Sequence, residues 1–251
     1  MAASCHRMRR LALALLIIAM ADGSGRAEAC ADGRLRVAID VGHSKSVPGA
    51  KSATGKLEYD FNRRFADELL QRAGELPALD LVLLEPSGRR LGLQERAKLA
   101  SDHKASAFLS IHHDSVQRKY LSHWVLGGKV IEYSDVFSGF SLFVWQQNGY
   151  SAASLKLATA IGRNLTTAGF IPTLHHAEPI KGENRQLLNR VLGVYEAPFV
   201  VLKSSLMPAV LFEVGVIVNR SEEQRLDDPT YRSKIQDGIL RALQEYCSNG
   251  P

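Results

Sequence analysis

The chain has 251 residues, 45% of them hydrophobic and 23% charged, enough apolar material to bury a full core as a soluble globular protein. Its formal net charge of +5 is small, and basic residues do not interleave with aromatic ones along a stripe, so nucleic acid is not an expected partner. A mixed, solvated surface accounts for the charge, and one domain, a monomer, is expected.

The N-terminus carries Arg7, Arg9 and Arg10 ahead of the apolar run Leu11 to Met20, followed by Ala27-Glu28-Ala29. A basic start, a short apolar stretch and an A-x-A site describe a secretory signal over residues 1–29, which leaves residues 30–251 as the working domain. The apolar run is shorter than the roughly 20 residues a spanning helix needs, so no membrane association is expected once the signal is removed. Export places the domain in a periplasm, with release from the cell as the alternative. Removal of the signal would leave Cys30 and Cys247, one near each end, as a candidate disulfide pair in an oxidising compartment.

From Arg34 short apolar runs alternate with longer amphipathic ones. Leu35 to Asp40 reads as a buried strand. Phe61, Phe65 and Leu69 recur at helical spacing, Leu79 to Leu84 reads as a second strand, and a helix over about Leu93 to His103 leads into the strand Ala107 to His112. Lys129 to Tyr133 reads as a further strand, and the aromatic passage after it carries no clear period. Leu155, Ala158, Ile161 and Leu165 define a helix over Ser154 to Ala168. Phe199 to Leu202 and Ala209 to Glu213 read as late strands, and Asp228-Pro229 opens a last helix that runs to about Tyr246. This order predicts a single α/β domain with a mostly parallel twisted sheet flanked by helices on both faces.

In such sheets ligands collect at the carboxyl ends of the strands. His43 follows the first strand, His112 closes the strand from Ala107, Glu213 ends the strand from Ala209, and Glu58 lies in the loop before the first helix. Two imidazoles and a carboxylate with an open fourth position form a usual hydrolytic zinc set, and a further carboxylate then serves as general acid/base. Each residue alone has an ordinary structural reading as a cap or a helix-dipole charge; their placement at one sheet edge is what points to a site. His175-His176, on a loop after Ile171-Pro172, reads as a surface or substrate-contact feature, because ligating histidines need a rigid surround.

Several segments together resemble the zinc-dependent N-acetylmuramoyl-L-alanine amidases: Val37 to His43, Glu58-x-x-x-Asn62, Glu95 to Ala100, Ser110 to Asp114, and Met207 to Gly215 with Asn219. The resemblance runs from about Arg34 to Tyr246. It implies that His43, Glu58 and His112 hold Zn2+, that Glu213 is the catalytic acid/base, and that the substrate is peptidoglycan, cut between the lactyl group of N-acetylmuramic acid and L-alanine. It also implies a possible activator protein, since related enzymes are sometimes held inactive by a helix over the site. The chain departs from the family in having His113-Asp114 after the metal histidine. Strand alternation points His112 and His113 to opposite sides, which selects His112. A zinc exopeptidase or deacylase of related α/β fold, and a non-catalytic cell-wall-binding module, are the alternative readings; a pure binder has no physical need for Glu213.

Overall fold

The computed structural model describes Cys30 and residues 33–248; the expected signal segment lies outside the described residues. Strands β1 (Leu35–Val41), β2 (Leu79–Leu83), β3 (Ala107–Asp114), β6 (Ser141–Val144), β7 (Leu187–Asn189), β8 (Val194–Glu196) and β9 (Ala209–Val216) form one sheet in the order β2-β1-β3-β9-β6-β8-β7. The pairs β1–β2, β1–β3, β3–β9 and β6–β8 are parallel, whereas β6–β9 and β7–β8 are antiparallel. A two-stranded hairpin of β4 (Ser122–Leu126) and β5 (Lys129–Tyr133) stands apart from this sheet.

The central strands are buried on both faces, as their near-continuous apolar sequences require. On one face Val37, Ile39, Leu109, Ile111, Val210 and Phe212 pack beneath helices α1 (Glu58–Ala73), α3 (Ser151–Thr167) and α6 (Pro229–Ser248). Phe61, Phe65 and Leu69 supply the buried stripe of α1, at the spacing the sequence predicts. The opposite face is smaller: Ala38, Phe108 and Leu211 meet helices α2 (Leu93–Asp102) and α4 (Val200–Lys203). Helix α5 (Arg220–Asp227) follows β9, and the Asn219 side chain caps it by accepting from the Glu222 N–H at 3.0 Å.

The structure overturns one late strand expected from the sequence and supplies an element where the sequence showed no period. Phe199 to Leu202 does not form a strand. Val200–Lys203 is a short helix on the smaller face, where Val201 and Leu202 are buried at helical rather than alternating spacing. The aromatic passage contains β6, in which all four residues are buried: β9 and β8 pair with its two edges, Leu142 and Val144 pack in the larger core with α3, and Phe143 packs in the smaller one. A disulfide joins Cys30 and Cys247. No described helix is long and apolar enough to cross a membrane.

Candidate active site

The strand β3 sets the geometry. Because successive side chains point to opposite faces, His112 projects to the thinly covered face, while His113 turns under α1 against Phe61 and Phe65. His113 is buried, and its Nδ1 lies 2.7 Å from Asn62 Oδ1. Burial holds its pKa down at about 3, so this imidazole is neutral and serves as a prop.

Glu58 opens α1 and bridges the two other candidate ligands. Its Oε2 is 3.1 Å from His43 Nε2, and its Oε1 is 3.2 Å from His112 Nδ1. One ligand atom from each of His43, Glu58 and His112 lies within 4.8 Å of the other two, close enough for a single metal ion to be held by all three. Backbone N–H of Ala50 donates to Glu58 Oε2 at 2.9 Å, and Asn62 Nδ2 donates to Oε1 at 3.2 Å. Burial alone would raise the Glu58 pKa, but hydrogen bonds and charge from His112 and His43 prevail and hold it below the ordinary carboxylate range. Two glycines make room for the group. A Cβ on Gly42 would collide with the His112 ring, and one on Gly49, which has φ +80°, would collide with Glu58 Oε2 and His43.

His43 itself has φ +68°, a strained conformation for a residue with a side chain. Arg96 of α2 pins it there: the guanidinium donates to His43 O at 2.7 Å, to Val41 O at 2.6 Å and to Asp40 Oδ1 at 2.7 Å. The second oxygen of Asp40 accepts from Ser110 Oγ at 2.7 Å, so both carboxylate oxygens of this buried ion pair are used. Arg96 lies within the Glu95 to Ala100 segment of the resemblance, but nothing in the sequence pointed to its task.

Glu213 stands beside His112, its register partner across the parallel pair β3–β9. Its Oε2 is buried and has no hydrogen-bond partner. Burial, then the negative charges of Asp114 and Glu58, push its pKa well above the ordinary value. Asp40, His43, His112 and Glu213 line a groove of about 500 Å³ together with Leu91, Leu93, Val200 and Arg90. The structure therefore brings together all four residues that the sequence singled out.

The sequence model of the N-acetylmuramoyl-L-alanine amidase family, Amidase_3, matches residues 37–245. The chain belongs to this amidase family. Within it, the "probable N-acetylmuramoyl-L-alanine amidase AmiB" of Haemophilus influenzae is 28% identical over 85% of this chain and 52% of its own length. The chain thus spans about half of that relative. The Bacillus subtilis protein YqiI is also 28% identical, over 95% of this chain and 96% of its own. Among solved amidase structures, the catalytic domain of CwlV from Bacillus (Paenibacillus) polymyxa superposes with a TM-score of 0.65 at 26% identity, covering 85% of this chain and 98% of that domain. An amidase of Clostridium difficile shares the fold at a TM-score of 0.66 and 22% identity, over 86% and 98% of the two chains.

His175-His176 departs from its expected place. Both imidazoles are buried rather than on the surface, and both approach Asp114 Oδ2, at 3.3 Å and 2.8 Å. Loop position in the sequence gave no sign of this, because burial of the segment depends on aromatic cover from Phe137 and Phe143.

Proposed function

We propose that the protein is an exported, zinc-dependent N-acetylmuramoyl-L-alanine amidase that hydrolyses the amide between the lactyl group of N-acetylmuramic acid and the first L-alanine of the peptidoglycan stem. The observation that carries this reading is the in-register placement of the unpartnered Glu213 carboxylate beside His112, in a chain of this amidase family.

His43, Glu58 and His112 hold the metal in this reading, and the spacing of their donor atoms fits it. When bound, zinc supplies Lewis acidity toward the scissile carbonyl and lowers the pKa of water to roughly 7. Glu213 then takes a proton from the attacking water and returns it to the leaving L-alanine nitrogen, so that acid and base are one group used twice. Its raised proton affinity suits the transfer, because a carboxylate at its ordinary pKa is a weak base near neutrality. Arg96 acts at one remove, fixing the strained His43 backbone. The groove accommodates substrate, with Leu91 and Leu93 offering apolar cover and Arg90 a cation for stem carboxylates.

Residues 1–29 direct export in this reading, and residues 30–251 form the catalytic domain, acting in the periplasm or outside the cell. Control by a partner protein belongs to the same reading. The CwlD amidase of Clostridioides difficile, a neighbour in fold, was solved in complex with the GerS lipoprotein.

Digestion of purified peptidoglycan with and without a chelator, followed by mass spectrometry, tests the proposal. The expected products are free stem peptides that begin with L-alanine, lost on chelation and restored by zinc. Intact peptidoglycan from metal-loaded protein at all concentrations, or products cut elsewhere in the stem, would overturn it.

A further inference from the structure

Asp114 ends β3 two residues beyond His112, and its side chain meets a second group of donors. Asp114 Oδ2 lies 2.8 Å from His176 Nε2 and 3.3 Å from His175 Nε2. The two rings lie with centroids 4.0 Å apart. All three residues are buried, and none belongs to the set formed by His43, Glu58 and His112.

The outer nitrogens decide how these rings are used. His175 Nδ1 is 2.8 Å from Thr173 Oγ1, and His176 Nδ1 is 2.8 Å from Glu183 Oε2. In the tautomer in which each Nδ1 donates to its oxygen, each Nε2 carries a lone pair, and both lone pairs are directed at the same carboxylate oxygen. Two lone pairs and an anion converging in a buried space repel one another unless a cation lies between them. This is the outer support that metal-binding histidines show, in which an oxygen on the far nitrogen fixes tautomer and ring orientation.

A protonated His176 bridging Asp114 and Glu183 would satisfy part of the cluster. It would still leave His175 Nε2, which is buried and makes no hydrogen bond. A buried polar nitrogen without a partner carries a free-energy cost that a metal bond would remove. The surround is stiff enough to hold a ligand set: Tyr195 Oη donates to Thr173 O at 2.9 Å, Gln117 Nε2 donates to Glu183 Oε1 at 2.8 Å, and Arg185 N–H donates to His176 O at 2.8 Å. Phe137 and Phe143 cover the rings at 4.9 Å and 5.0 Å between centroids.

We infer that Asp114, His175 and His176 form a second metal site, built for a divalent transition ion such as zinc, with Thr173 and Glu183 as the outer hydrogen-bond acceptors of its histidines. Two imidazoles and one carboxylate suit zinc, cobalt or nickel; magnesium and calcium prefer sites made of oxygen alone. The site shares no ligand with the His43 group, so each can be emptied separately.

Elemental analysis of the purified protein after loading with zinc and exhaustive dialysis tests this. Wild type is expected to retain two equivalents, the double variant His43→Ala/His112→Ala one, and the triple variant that adds His175→Ala none. In the cobalt-loaded double variant, visible absorption from the remaining ion should vanish on the further change His176→Ala. Thr173→Val, which strips His175 Nδ1 of its oxygen partner, should weaken zinc at this site about 10–100-fold while leaving the equivalent held at the His43 site in place. One equivalent in wild type together with none in the double variant would overturn the inference. One equivalent in both would support it, and would count instead against the His43 site.

Discussion

His112 and Glu213 are register partners across β3 and β9, so a candidate metal ligand and an unpartnered carboxylate project from adjacent strands to the same face of the sheet. Neither can shift without moving a strand whose other residues are all buried, which fixes their separation more firmly than a loop would.

Glu213→Gln should therefore retain metal at the His43 site and lose hydrolysis by about 10²–10⁴-fold, the contribution expected of a general acid/base. The same change should stabilise the metal-free protein at neutral pH. Burial raises the Glu213 pKa in the fold, so the folded state binds its proton more tightly than the unfolded chain does. Ionisation at higher pH then costs stability, and the cost disappears as pH falls through the folded pKa toward the ordinary value. Thermal melts of both proteins across pH would show the variant melting higher near pH 7 and the two converging on acidification; a variant that melts lower at every pH contradicts this.

Gly49→Ala should weaken zinc binding without unfolding the domain. The added methyl both enters a left-handed backbone position and meets Glu58 Oε2 and His43. Competition with a fluorescent chelator should show a loss of at least 10-fold, the scale on which disturbed ligand support acts, and an unchanged affinity would remove Glu58 from the ligand set.

His113 makes the metal-free fold acid-sensitive. Burial holds its pKa at about 3 in the fold against an ordinary 6.5, so below pH 6.5 the unfolded chain takes up a proton that the native protein cannot. Stability should fall as pH drops from 6.5 toward 3 and level off below. Urea denaturation at several pH values measures this, and His113→Gln should flatten the profile over that interval. Asn62→Leu, which strips His113 of its partner, should cost about 1–3 kcal/mol at pH 7.

Cys247→Ser should lower the denaturation free energy by about 2–5 kcal/mol, since the lost bridge closes a long loop with a sequence separation of 217. The hydrolytic rate at low temperature should be unchanged, because the bridge joins Cys30 to Cys247 and touches none of the four candidate site residues. Loss of activity in a fully folded variant would contradict this.

The long elements were legible because their residues obey one period. Phe61, Phe65 and Leu69 mark the buried face of α1, and the apolar run from Leu35 marks a strand enclosed on both sides. Val200–Lys203 was misread because four apolar residues satisfy either period. The meeting of His43, Glu58, His112 and Glu213 could be anticipated because His43 follows β1, Glu58 opens α1, and His112 and Glu213 lie near the carboxyl ends of β3 and β9, although both strands run two or three residues further than expected. The supports could not. Arg96 reaches the His43 loop across 53 residues of chain, and His176 finds Asp114 across 62. Such contacts depend on strand order, β1 beside β3 and β3 beside β9, which no local pattern encodes.

The covalent bridge between Cys30 and Cys247 turns nearly the whole described chain into a ring. A single cut by a protease in an exposed turn such as Gly127-Gly128 opens that ring but releases nothing. The two pieces stay tethered through the sulfurs at one end and by the shared sheet at the other, so a nicked molecule keeps β3 and β9 side by side and behaves as one particle until it is reduced.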